Sequence, residues 1–229
     1  LRDLLGPRGD AVTVATFHGL ALSILGEFGG TDLARRVVAE SEQVDLCRKC
    51  FDLDGPGARK LIRRISCARR SGVVPEDLGR RMDDLKKARR EQGLVDFDDL
   101  IEDAIELISA RPDAAASLRR RYRYVSVDEF QDVDEKQYQL LCLLVPYDGN
   151  LCVIGDADQS IYGFRGADAR HFNVFAQEHH EARTVSLSRN YRCLSHIVES
   201  ACHVLDCQDG RARRWQARPA GDAKIRIHQ

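Results

Sequence analysis

The sequence predicts an α/β protein: a parallel sheet with flanking helices, interrupted by a helical insertion. Three observations carry this. From Tyr122 onward, short apolar runs alternate with helical stretches, the pattern of strand–helix–strand units. Residues 31–121 keep helical spacing almost throughout. Two of the later runs, Tyr124–Val127 and Leu151–Ile154, end in carboxylates at Asp128-Glu129 and Gly155-Asp156. Open α/β sheets receive their ligands at that end of the strand.

The elements follow in order. Ala11–His18 is short and β-branched and reads as a buried strand. Gly19–Phe28 has helical spacing through Leu20, Ile24, Leu25 and Phe28, closed by Gly29-Gly30. Asp32 is placed to cap a helix carrying Leu33, Val37 and Val38, and Ser41 to open the next. Arg59–Arg70 is a basic helix with Leu61, Ile62 and Ile65 on its apolar side. Pro75 suits the first position of a helix carrying Leu78, Met82 and Leu85. Phe97–Ile108 is amphipathic, with Asp96 as its cap. After the strand at Tyr124–Val127 come a helix at Glu135–Leu144, the strand Leu151–Ile154 and a helix at Ala167–Gln177. A strand at Thr184–Leu187 and a helix at Leu194–Leu205 complete the reading, and Lys224–Ile227 alternates like the start of another strand.

Composition narrows the class. The chain has 229 residues, 43% hydrophobic and 31% charged, and a net charge of −1, which excludes disorder and a polybasic tail but not local basic patches. No apolar run approaches the ~18 residues of a membrane span, and the first residues lack a signal-peptide layout. A cytoplasmic protein is expected. The eight cysteines include one CxxC, Cys47 and Cys50, without a second tight pair. They read as reduced, mostly buried thiols rather than a disulfide framework or a zinc site.

The sharpest chemistry is at Val125-Ser126-Val127-Asp128-Glu129. An apolar strand delivering two adjacent carboxylates is a Walker-B arrangement. The first carboxylate can serve Mg²⁺ and the second can polarise the water that attacks a γ-phosphate. Gln159, just past the second strand, has an amide suited to a phosphate or its attacking water.

Asp128-Glu129-Phe130-Gln131-Asp132 and the run Gly155-Asp156-Ala157-Asp158-Gln159-Ser160-Ile161-Tyr162-Gly163-Phe164-Arg165-Gly166-Ala167 resemble motifs II and III of the superfamily 1 helicases of the UvrD/Rep/PcrA type. Thr16-Phe17-His18-Gly19 resembles the motif-Ib segment, Asp96-Phe97-Asp98-Asp99-Leu100 the family's DFDDL segment, and Asn190-Tyr191-Arg192 motif IV. The resemblance implies a RecA-like P-loop NTPase fold and an ATP-dependent 3′-to-5′ DNA helicase using ATP and Mg²⁺ on single-stranded DNA and its junction with duplex. It assigns Asp128 to Mg²⁺, Glu129 to the attacking water, Gln159 to the γ-phosphate and Arg192 to an arginine finger. Arg165 would link nucleotide to DNA, and Tyr191 would stack near adenine. Phe17, His18, Tyr162 and Phe164 would lie along single-stranded DNA, with Phe164 standing where many relatives have Trp.

Blander roles compete at several positions. Phe17 is also a core candidate, and His18 a capping or hydrogen-bonding residue. Asp156 and Asp158 suit turn caps, and Asp98 and Asp99 read as structural. Arg63, Arg64, Arg69 and Arg70 fit either a solvated helix face or a phosphate contact. The chain contains no GxxxxGK[ST] run, and Pro56 disqualifies Gly55–Lys60 as a substitute. The reading is therefore a central slice of a helicase without the Walker-A segment or motifs V and VI, joined in life to the remainder of the helicase polypeptide. The expected divisions are motor domain at 1–30, 1B-like helical insertion at 31–109, motor domain with motifs II and III at 110–188, and the start of a second motor domain at 189–229. A non-catalytic DNA- or partner-binding module and a metal-dependent nuclease using Asp128 and Glu129 are the alternatives.

Overall fold

A computed structural model describes residues 6–29, 36–160, 171–209 and 216–218. The chain divides into two compact units, Leu1–His179 and His180–Gln229. The architecture is α/β, mostly helical, with small parallel sheets.

In the first unit, α1 spans Phe17–Phe28. The expected strand at Ala11–His18 does not form: Gly6–Ala11 is a 3-10 turn and 12–16 pairs with no strand among the described residues. The reason lies in Thr16, whose Oγ1 accepts the Gly19 N–H at 3.2 Å and caps the helix two residues earlier than apolar spacing suggested. Val37-Val38 also departs from expectation. Arg36–Val37 forms strand β1 in place of a helix, paired in parallel with β2, Leu94–Val95. Asp32 and Leu33 lie outside the described residues.

Helices α2 (Glu40–Phe51), α3 (Gly55–Ser71) and α4 (Gly79–Glu91) lie between these strands in sequence. They enclose a core of their own, built on Val44, Leu46, Cys47, Leu61, Ile65, Leu78 and Leu85. Helix α3 starts at Asp54, which accepts the Gly57 N–H at 2.7 Å, and stops at Gly72 with φ 70°. Pro75 does not open α4. It closes a turn with Leu78 N–H on its carbonyl at 2.9 Å, and the helix follows from Gly79.

Helix α5 spans Phe97–Ala110 under an Asp96/Asp99 capping box, and α6 spans Pro112–Arg121. Strand β3 (Tyr124–Val127), α7 (Glu135–Leu144), β4 (Asn150–Val153) and α8 (His171–Glu178) complete the unit. Ile24, Leu25, Leu100, Ile101, Ile108, Phe130, Leu140 and Leu141 form the core beneath β3 and β4. Phe130 is fully buried at its centre, edge-on to Tyr138, Phe172 and Phe175.

In the second unit, β5 (Arg189–Leu194) runs directly into α9 (Ser195–Asp209) and pairs in parallel with β6 (Gln216–Arg218). No strand forms at Thr184–Leu187, where Val185 and Leu187 are exposed. Lys224–Ile227 lies outside the described residues. The thiols are not mostly buried either: of the seven described as free, only Cys47 is buried.

Candidate active site

Strands β3 and β4 pair in parallel with Tyr124 opposite Asn150 and Val127 opposite Val153, so both deliver their last residues to one edge. The pairing continues past the strand ends. The Ile154 N–H donates to the Val127 carbonyl at 2.8 Å, and the Phe130 N–H to the Ile154 carbonyl at 2.9 Å. Asp128 and Glu129 lie between these anchors and are exposed. Glu129 takes a left-handed backbone, φ 51°, uncommon for a residue with a side chain, and its N–H is held by Asp128 Oδ1 at 3.0 Å. This turn lets Phe130 drop into the core while both carboxylates stay at the surface.

Gln131 is the residue sequence reasoning passed over. It is 2% exposed. Its Nε2 donates to Glu129 Oε2 at 2.7 Å, and its Oε1 accepts the Asp156 N–H at 3.0 Å. Asp156 Oδ2 then accepts from Gln159 Nε2 at 2.8 Å, and Asp156 Oδ1 from the Asp158 N–H at 3.1 Å. Asp156 therefore has the capping role expected of it, and Glu129 and Gln159 stand at the two ends of one hydrogen-bonded chain. Gly155 makes the approach possible: a Cβ there would lie 2.3 Å from Gln131 Oε1 and 3.0 Å from the Phe130 nitrogen. A polar side chain between two buried apolar anchors, Phe130 and Val133, was the available signal for Gln131.

The chemistry of the exposed Asp128 carboxylate suits magnesium, a hard cation that takes one or two carboxylates with water and phosphate completing its shell. Among the described residues no three acidic, histidine or cysteine side chains group to hold a metal ion by themselves. Asp132 Oδ1 is buried without a hydrogen-bond partner among the described residues. Burial, then the Glu129 charge, pushes the Asp132 carboxyl up.

Phe17 and His18 occupy the first turn of α1. Phe17 is half-buried against the main core. His18 stands edge-on to Phe97, 5.5 Å between centroids. Burial, then the charge of Arg70, holds the His18 imidazole below its ordinary range against the opposing pull of Asp98. Tyr162, Phe164 and Arg165 lie outside the described residues. Tyr191 and Arg192 sit exposed on β5 in the second unit. There Asn190 Oδ1 accepts the Arg192 and Cys193 N–H groups at 2.9 and 2.8 Å, and the Arg189 guanidinium lies over the Tyr191 ring.

The arginines divide. Arg63 is exposed, and Arg64 pairs with Asp77 at 2.8 Å on the surface. Arg69 is only 3% exposed, so for it neither a solvated face nor a phosphate contact holds. It meets Asp96, Asp99 and Glu102 at 3.1, 2.7 and 2.8 Å. Arg89 from α4, 1% exposed, meets Asp96 and Asp99 at 2.8 and 3.1 Å, and Arg70 pairs with Asp98 at 2.8 Å. Asp98 and Asp99 are thus structural, as expected, and join α3 and α4 to α5.

The sequence profile of the UvrD/REP helicase N-terminal domain matches residues 59–180, more than half of the chain and the whole of the β3–β4 edge. The chain belongs to the UvrD/REP helicase family. Relatives in the UvrD/REP family include the ATP-dependent DNA helicase PcrA of Leuconostoc citreum, 32% identical over 92% of this chain and 31% of the relative. The protein of the same name from Staphylococcus epidermidis is 30% identical over all of this chain and 34% of its own length. The ATP-dependent DNA helicase UvrD1 of Mycobacterium tuberculosis is 40% identical over 61% of this chain and 19% of its own. The chain spans about a third of the length of the PcrA relatives it matches.

Proposed function

We propose that this UvrD/REP chain supplies a catalytic edge of an ATP-dependent 3′-to-5′ DNA helicase or translocase, a cytoplasmic protein acting in DNA repair, replication or recombination. The observation that carries the reading is the linkage of Glu129 to Gln159 across two strand ends. Hydrolysis of a γ-phosphate needs a base beside the attacking water and a donor beside the phosphate, held in fixed relation. Glu129 takes the water's proton. Gln159 releases Asp156 to donate to the γ-phosphate. Asp128, with Mg²⁺ bound, would hold the ion that offsets phosphate charge. Arg192 stabilises charge in the transition state, Tyr191 stacks at the adenine, and Arg165 ties the nucleotide to DNA movement. Phe17, His18, Tyr162 and Phe164 line the single strand.

The motor fold is RecA-like over 1–30 and 110–188, with the 1B-like insertion at 31–109 and a second motor domain beginning at 189. No helix among the described residues is long and apolar enough to cross a membrane.

The test is Glu129→Gln in the complete natural polypeptide. Loss of a general base should lower DNA-stimulated ATPase by about 10²–10⁴-fold while ATP and single-stranded DNA still bind. A variant that hydrolyses ATP at the wild-type rate would refute the assignment.

A further inference from the structure

Gln131 links Glu129, proposed above to serve the attacking water, to Asp156, which holds Gln159. Its amide sits between a carboxylate, Glu129, and a backbone N–H, that of Asp156, at 2.7 and 3.0 Å. A carboxylate only accepts and a backbone N–H only donates. A side chain bridging them must donate at one end and accept at the other, which of the charged and amide side chains of this length only Gln does. Glu would bond Asp156 and repel Glu129. Met would bond neither.

The surroundings leave the amide little freedom. Phe130 and Val133 on either side are buried, at 0% and 3% exposure, and Gly155 presses within van der Waals distance. Glu129 itself is exposed and would otherwise sample several rotamers.

Building on the site proposed above, we infer that Gln131 is a positioning residue: it fixes the Glu129 carboxylate for the attacking water and locks the Gly155–Gln159 loop to it. The link has a mechanical consequence. Asp156 joins Gln159 through its carboxylate and Gln131 through its N–H, so the two ends share one hydrogen-bonded frame. Base and phosphate donor are then set together.

Two measurements test this. In the 229-residue chain, amide hydrogen exchange followed by NMR reads the Asp156 N–H. Gln131→Met should speed its exchange by about tenfold or more, and Gln131→Glu, which keeps the acceptor, should leave it protected. In the complete polypeptide, both variants should lower kcat for DNA-stimulated ATP hydrolysis by roughly 10–100-fold, with KM for ATP within about threefold of wild type.

Wild-type kcat in both variants, a rise in KM without loss of kcat, or unaltered Asp156 exchange in Gln131→Met would overturn the inference. Should Gln131→Met fail to fold, the split of kcat against KM in Gln131→Glu decides. Glu129→Gln separates the two readings. If it abolishes hydrolysis while the Gln131 variants run normally, the positioning role is wrong and the site stands. If Glu129→Gln is silent, the site falls, and exchange at Asp156 still decides whether Gln131 holds the loop.

Discussion

Replacing Asp99 by Asn should destabilise the first unit by roughly 2–4 kcal/mol, between the loss of a charge-assisted hydrogen bond and the rupture of a buried ion pair. Asp99 is fully buried and accepts from Arg69 Nη2 at 2.7 Å, Arg89 Nε at 3.1 Å and the Asp96 N–H at 2.9 Å. Asparagine keeps one acceptor oxygen but removes the charge facing two buried guanidiniums. Arg69 retains Asp96 and Glu102. Arg89 retains only Asp96 as an ion-pair partner among the described residues, and its Nη1 already lacks a hydrogen bond there.

A second route gives a similar size. Burial alone would push the Asp99 carboxyl up, but Arg89 and Arg69 outweigh it and hold it at about 2, against an ordinary 3.8. A carboxyl held down in the fold contributes stability above its unfolded value and loses it as pH falls through the folded one. The contribution, about 2 kcal/mol, should be present above pH ~4 and disappear toward pH ~2.

Urea titration followed by helical circular dichroism reads the midpoint at constant m, and the difference between wild type and Asp99→Asn reports Asp99 together with Asp96, whose carboxyl is pushed up by burial and by the Asp99 charge. The exposed pair Arg48–Asp45 at 3.5 Å is the control, and Asp45→Asn should cost less than about 0.5 kcal/mol. If Asp99→Asn behaved like Asp45→Asn, or its difference from wild type stayed constant between pH 5 and 2, the buried network would not be the joint described here.

Other consequences can be checked separately. Gly155→Ala must displace the Gln131 amide or the Phe130 backbone, and should cost roughly 1–3 kcal/mol by urea titration. Phe130→Ala empties the centre of the aromatic cluster and should cost about 3–5 kcal/mol in the same assay. His18, held below its ordinary 6.5, resists protonation in the fold, so stability should decline as pH drops below that value. His18→Asn should flatten that part of the profile, and an unchanged slope would remove His18 as its source. The 229-residue chain, which carries no GxxxxGK[ST], should show no ATPase above background in a phosphate-release assay.

Much of the β3–β4 edge was legible because strand composition and strand-end carboxylates are local features. Tyr124–Val127, Glu135–Leu144 and the Asp96 cap fall where spacing placed them. Errors came where a single hydrogen bond decides. Thr16 draws Phe17 and His18 into a helix, and the Pro75 carbonyl ties up Leu78 in a turn. Val37 and Arg69 failed for another reason. A two-residue strand exists only because Leu94–Val95 lies beside it, and an arginine on a basic helix is buried only because Asp96 and Asp99 arrive from a distant segment. Gln131 belongs with these, since its partners sit on two different loops.

The short pairing of β1 with β2 brings the two ends of a long excursion together. The Arg36 N–H reaches the Gly93 carbonyl at 3.0 Å and the Val38 N–H the Val95 carbonyl at 2.8 Å. Everything from Glu40 to Glu91 thus leaves and returns through one doorway, with its own core inside. Closing a longer or shorter path between fixed ends costs only logarithmically in length. Resizing or exchanging the excursion as a cassette therefore requires the incoming segment to bring partners for Asp96, Asp98, Asp99, Glu102 and Asp103 at the threshold.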